Sequence, residues 1–406
     1  MPNSMSFYKN TILNLLKPMQ KGYIHITLED GTTMELGSKE NGLHADVAVN
    51  DFKFYKRAFL FGDIGFAEAY MAEEWTTSDL TKLLSWFLLN IENSPTVSGS
   101  AVKSVALNIL QFANKIYHRK RKNSLNGSRK NISAHYDLSN DFFALFLDGS
   151  MTYSSAYFTD PSHDLEQAQI QKYESLCNAS KIKEGDHVLE IGTGWGGFAM
   201  YAAKTYNCKI TSVTISQQQF DFAVKRIADA GLSDKIEVQL KDYRLIEGKY
   251  DKVISIEMIE AVGAKYLKTY FDKIHGLLKP DGVLALQAIV CPDSRFDEFK
   301  KNVDFIQKHI FPGTLLPSIA AINNAVNETG DMFMFGLKDL GKSYVQTLAE
   351  WRSRFNLNTD KIKLLGFDDE FIRKWNYYFS YCEAAFNMRN INVVQMVYTR
   401  PNNHAF

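Results

Sequence analysis

Cysteine is scarce in this chain: four occur in 406 residues, Cys177, Cys208, Cys291 and Cys382, with no CxxC pair. Spacing this wide argues against a zinc site or a disulfide framework, no metal site is expected, and a reducing cytosol is the simpler home. Net charge is absent as well, because 46 Lys and Arg balance 46 Asp and Glu. Without a global positive field, no nucleic-acid partner is expected. Nowhere do 18 consecutive apolar residues occur, and the opening MPNSMSFYKNTILNLLKPMQ lacks a basic start followed by an uninterrupted apolar block. Neither a membrane-spanning helix nor a secretory signal is predicted.

What the chain does have is length and apolar bulk. At about 150 residues per domain, it predicts two or three domains. Its 45% hydrophobic and 23% charged residues are those of ordinary globular proteins. Aromatics are abundant, with 28 Phe, 20 Tyr and 5 Trp. They serve either bulk packing or a large apolar, cation-stabilising cavity.

Residues 1–115 read as a small α+β domain. YIHITLEDGTTMELG alternates apolar and polar residues around Asp30–Gly31, which predicts a hairpin. Leu80, Leu83, Leu84, Phe87 and Leu88 recur at helical spacing and predict a buried amphipathic helix. HRKRKNSLNGSRK, His118 to Lys130, then carries six Lys or Arg and no acid. Residues 116–131 are therefore read as a basic linker, either solvated or a patch for anionic lipid head groups.

From Gly185 onward strands and helices alternate: HVLEIGTG, FAMYAAKTY, KITSVTIS, QQQFDFAVKRIADAG, KIEVQLKD, YDKVISIE, KYLKTYFDKIHGLLKPDG and VLALQAIV. Such alternation predicts a doubly wound α/β domain, a parallel sheet with helices on both faces. Residues 292–345 break the rhythm and are expected to form a lid-like insertion over the ligand crevice at the strands' carboxyl ends.

EIGTGWGG places Gly192, Gly194, Gly196 and Gly197 between a strand and a helix, where a nucleotide-like cofactor can approach the backbone. The string also fits GxGxxG, so a nicotinamide or flavin enzyme is an alternative. A dinucleotide site wants an acid closing the second strand. That strand instead ends in Thr214, Ile215 and Ser216, and the first acid is Asp221 in the following helix. S-adenosylmethionine is favoured, with Glu190 leading the glycines and Asp242 and Tyr243 closing the third strand.

Eight blocks carry a resemblance: HYDLSNDFFALFLDGSMTYSSAYF, VLEIGTGWGGFA, VTISQQQ, KDYR, IEMIEAVG, FIQKHIFPGTLLPS, YVQTLAEW and FDDEFIRKWNYYFSYCEAAF. In this order they resemble the cyclopropane-fatty-acyl-phospholipid synthases and the related mycolic acid and fatty-acyl methyltransferases. The resemblance implies a Rossmann-like class I methyltransferase domain over 132–406, after an amino-terminal lipid-binding domain. Tyr153 and Ser154 would meet the methionine carboxylate of S-adenosylmethionine over Gly192, Gly194 and Gly196. Gln219 would take the ribose hydroxyls, Asp242 and Tyr243 would frame the adenine with Arg244 beside them, and Glu190, Thr214 and Ile215 would complete the surroundings.

The same resemblance implies a bicarbonate ion as the base, held by Glu260, the Tyr344 phenol and the backbone N–H groups of Ile289 and Ser155. Many bacterial synthases carry Cys at Ser155 and His at Gln287. A glutamine amide can donate to an anion but cannot titrate. The implied reaction is cyclopropanation of unsaturated acyl chains in phospholipid, by a cytoplasmic enzyme peripherally bound to the inner, anionic face of the membrane. A homodimer rests on the resemblance alone. The alternatives are a fatty-acyl methyltransferase leaving a methylene or methyl branch, an amine N-methyltransferase, a non-catalytic lipid-transfer protein and an oxidoreductase.

Overall fold

The computed structural model describes residues 2–40, 42–90 and 138–404. Residues 91–115, the basic linker and the start of the HYDLSN block lie outside the described residues. By contact density the chain forms two units that do not follow chain order: residues 1–120, 301–310 and 351–390 make one, and 121–300, 311–350 and 391–406 the other. The segments 301–310 and 351–390 thus cluster with the amino-terminal third.

In the first unit the alternation around Asp30–Gly31 becomes the hairpin of β1 (Tyr23–Thr27) and β2 (Thr33–Gly37). Asp30 Oδ1 accepts from the Thr32 N–H at 2.9 Å, and Gly31 takes φ 82°, which closes the turn without a Cβ clash. β3 (His44–Val49) and β4 (Trp75–Thr76) complete a sheet of order β2-β1-β3-β4. Helix Lys53–Met71 breaks at Gly62, and helix Leu80–Leu89 starts where the Asp79 carboxylate accepts from the Lys82 N–H. Its Leu80, Leu83 and Leu84 are buried, as the spacing predicts. From the later segments, helix Asp369–Asn387 joins this unit, where the Thr81 hydroxyl donates to Glu383 at 3.1 Å.

The second unit is built on seven strands, β5 (His187–Ile191), β6 (Lys209–Thr214), β7 (Ile236–Leu240), β8 (Tyr250–Ile256), β9 (Leu278–Val290), β10 (Phe333–Asp339) and β11 (Asn392–Thr399). Their order is β10-β11-β9-β8-β5-β6-β7. β5 to β9 are parallel, while β11 runs antiparallel to β9 and β10 antiparallel to β11. Alternate residues point to opposite faces, so neighbours in sequence serve different cores. Leu189, Val253, Leu284 and Leu286 pack with helices Leu267–Leu277 and Ile319–Asn327. Val188, Ile254, Val283 and Ala285 pack with helices Leu165–Ser180, Gly197–Tyr206 and Gln217–Asp229. Each fully buried Leu or Ile contributes about 1.5–3 kcal/mol of transfer free energy, which holds the two helical layers on the sheet.

The lid expected over 292–345 needs correction. Within it, β10 is the edge strand of the sheet, and Ile322, Ala325 and Val326 belong to one of its two cores. β10 turns away from the parallel pattern because it pairs with β11, a strand not anticipated from the sequence. The part that does lie at the carboxyl ends of the strands is 311–318: Leu315 N–H donates to Glu260 O, and Cys291 N–H to Pro317 O, both at 2.9 Å.

Candidate active site at the carboxyl ends of β5, β8 and β9

Strand order reverses between β5 and β8, and there the chain leaves the sheet in opposite directions, opening a crevice. After β5, Gly192, Gly194 and Gly196 take φ of 103°, 53° and 85°. The N–H groups of Gly192 and Thr193 donate to Val213 O, which folds the turn back toward β6. A Cβ placed on Gly194 would meet no atom within 4 Å, so the turn faces open space that a ligand can enter. At Gly197 the reason for glycine is packing, since a Cβ would lie 2.5 Å from the Tyr173 hydroxyl. Glycine backbone, open space and a helix start together fit a cofactor cradle.

The other residues expected around a cofactor lie at the same crest. Glu190 is buried, and Ser212 Oγ donates to it at 2.5 Å; burial pushes its acid up to about 8. Thr214 Oγ1 donates to Gln219 Oε1 at 2.9 Å, and Ile215 is half-buried between them. The Gln219 amide nitrogen makes no hydrogen bond among the described residues, so it can donate to a ligand. Asp242 pairs locally with Arg244, accepting from Nε at 2.8 Å and Nη2 at 2.7 Å. The Arg244 guanidinium stacks 5.5 Å from the Tyr243 ring centroid.

Tyr153 sits among aromatic rings, 5.3 Å from Phe143, 6.1 Å from Phe146 and 6.2 Å from Phe311. Trp195 lies 5.0 Å from Phe143. Ser154 Oγ accepts from the Lys172 ammonium at 2.8 Å. Lys172 is fully buried, and desolvation pulls its ammonium down to about 7 against the attraction of Glu257, Asp148 and Glu190.

One carboxylate gathers the residues expected around bicarbonate, and the sequence reading assigned it no role. Glu257 Oε1 accepts from the Ser155 N–H at 2.8 Å and from the Gln287 amide at 2.8 Å. Its Oε2 accepts from the Tyr344 hydroxyl at 2.8 Å. Gln287 is itself fixed, because its Oε1 accepts from Gln395 Nε2 at 3.0 Å. Beside this cluster, Ile289 N–H donates to Glu260 Oε1 at 2.5 Å, and Glu260 Oε2 is buried with no hydrogen-bond partner among the described residues. Burial raises the acid of Glu257; burial first, and then the charge of Glu257, push Glu260 up to about 8. Glu257 accepts three hydrogen bonds, as a carboxylate does, and Glu260, at about 8, is a neutral acid at pH 7.

The expected bicarbonate does not fit this arrangement. Its Ser155 and Tyr344 donors, and the Gln287 amide, converge on Glu257, while its Ile289 donor is spent on Glu260. A signal for Glu257 was present: in YDKVISIE an acid follows directly on the VISI run of a central strand, at its carboxyl end. Lys172 and Gln395, in QIQKYES and VVQMV, carried none.

The family model for mycolic acid cyclopropane synthetase matches residues 123–396. The tuberculostearic acid methyltransferase UfaA1 of Mycobacterium tuberculosis is 39% identical over 350 residues, covering 84% of this chain and 79% of its own. The cyclopropane-fatty-acyl-phospholipid synthase of Escherichia coli K12 is 33% identical over 359 residues, 88% of each. Among solved structures, mycolic acid cyclopropane synthase CmaA1 complexed with SAH and CTAB superposes with a TM-score of 0.63 at 29% identity, covering 67% of this chain and 98% of that one.

Proposed function

The chain belongs to the mycolic acid cyclopropane synthetase family, and on that footing we propose that it methylates the double bond of unsaturated acyl chains in phospholipid and closes a cyclopropane ring. It is a class I methyltransferase by fold. The observation that carries the reading is the pairing of an open glycine cradle after β5 with the Glu257 side chain, which gathers three hydrogen-bond donors at the end of the adjacent strand β8. A methyl donor and a base are what alkene methylation needs side by side.

S-adenosylmethionine, held at Gly192 to Gly196 with Gln219 toward its ribose, supplies an electrophilic methyl group. The protein supplies the rest. The ring cluster of Phe143, Phe146, Tyr153, Trp195 and Phe311 offers apolar faces that tolerate a developing carbocation without presenting water to it. Lys172 keeps Ser154 oriented. CmaA1 is seen with SAH and with CTAB, a cofactor product and a long-chain amphiphile. Among the described residues no helix is long and apolar enough to cross a membrane, and the basic linker would supply peripheral binding at an anionic phospholipid surface. A homodimer remains part of this proposal on the resemblance alone.

A second reading, a methylene or methyl branch, is favoured by the name of the 39% identical relative, a tuberculostearic acid methyltransferase. Incubation with labelled S-adenosylmethionine and unsaturated phospholipid vesicles, then proton NMR of the extracted lipid, separates the two. Ring methylene protons far upfield are expected; vinylic or new methyl-branch signals in their place would select the branch. No label in lipid would sink both.

A further inference from the structure

We propose that the Glu257 carboxylate is the catalytic base of this reaction, a built-in side chain standing where a bicarbonate ion is expected. The inference rests on the acyl-chain methylation proposed above and names the group that completes it.

Three donors from three separate parts of the chain meet on this one side chain. A carboxylate offers about four acceptor positions. Two on Oε1 and one on Oε2 are taken, so Oε2 keeps one lone pair for a proton. Glu257 is half-buried, whereas Glu260 beside it is buried. The next residue, Met258, would lie 3.4 Å from a Cβ on Gly192, so the base stands beside the cofactor turn.

The backbone shows what holds Glu257 there. Its φ is 47°, a left-handed conformation at the end of a strand. For a residue with a Cβ this costs roughly 1–2 kcal/mol. The conformation turns the side chain toward Ser155 and Tyr344, and the Glu257 N–H is anchored on Gln287 O at 2.7 Å. A bicarbonate ion here would meet a second anion without donors of its own. At 4 Å and an effective dielectric of 20, that repulsion is about 4 kcal/mol.

In the reaction the alkene π pair bonds to the sulfonium methyl, and the S–CH3 electron pair stays on sulfur as a neutral thioether. One acyl carbon becomes cationic. Glu257 Oε2 then bonds to a proton of the new methyl, and the freed C–H pair closes the ring. Glu257 is left neutral and returns its proton to solvent when the lipid leaves.

The test has a wild-type arm and a variant arm. In buffer stripped of carbon dioxide, wild-type turnover should be unchanged, and carbon-13 NMR with labelled bicarbonate should show no bound ion. Glu257→Gln should lower kcat by about 10²–10⁴-fold, the usual range for a general base, with S-adenosylmethionine affinity unchanged by calorimetry. Glu257→Gly removes the left-handed strain and exposes the three donors; added bicarbonate, formate or acetate should bind there and restore part of the turnover. Loss of wild-type turnover on bicarbonate removal, a bound bicarbonate signal in the wild type, or a fully active Glu257→Gln enzyme would each overturn the assignment. The wild-type arm decides even if neither variant folds. A wild type that labels no unsaturated lipid would instead refute the proposed reaction, while the NMR arm would still decide which anion those donors hold.

Discussion

Replacing Glu260 by glutamine should make the protein more stable than the wild type by a margin that grows with pH. In the folded chain Glu260 is buried beside the Glu257 carboxylate, which moves its acid from 4.5 to about 8. Between those values the native protein holds a proton that the unfolded chain has released, so the unfolded state binds fewer protons and wild-type stability falls as pH rises. The slope is about 1.4 kcal/mol per pH unit for one group. From pH 5 to pH 7 the advantage of Glu260→Gln should therefore widen by about 3 kcal/mol. For a unit of roughly 250 residues that corresponds to about 6–12 °C in Tm. Glu190, raised by its own burial, titrates in both proteins and cancels in the difference. Thermal melts of both proteins at pH 5, 6, 7 and 8 measure the gap directly. A gap constant across this range would mean that Glu260 ionises as an exposed glutamate does, and the burial reasoning would be wrong.

Gly194→Val should abolish S-adenosylmethionine binding in calorimetry while leaving circular dichroism unchanged, since a branched side chain would enter the open cradle at φ 53°; retained affinity would refute the cradle. Lys172→Met should stabilise most below pH 7, where the wild type must bury an ammonium. In the wild type this penalty fades between about 7 and 10.5 as the buried lysine sheds its proton and the unfolded one keeps it, so denaturation at pH 7, 8 and 9 should show the gap closing by about 1.4 kcal/mol per unit. Replacing Arg119, Lys120, Arg121 and Lys122 with serine should weaken sedimentation with anionic vesicles and flatten its salt dependence. Binding that does not change would reduce the segment to a tether.

Local chemistry determined what could be read from the sequence. The hairpin at Asp30–Gly31, the helix through Leu80, Leu83 and Leu84, the β5 to β9 alternation and the glycine turn each depend on residues within a few positions of one another, where periodicity and positive φ speak for themselves. The catalytic cluster does not. Glu257 meets Ser155, Gln287 and Tyr344 across 102, 30 and 87 residues, a convergence made only when two strand ends, a loop and a helix start reach one crest. Lys172 lies in a helix whose pattern reads as ordinary, and only the packing of neighbouring elements removes water from its ammonium. The same holds for β10. Its residues interrupt a regular α/β rhythm and read as a lid, yet the free edge of β11 pairs with them, because unpaired backbone N–H and C=O groups at a sheet edge take the partner that the fold brings to them.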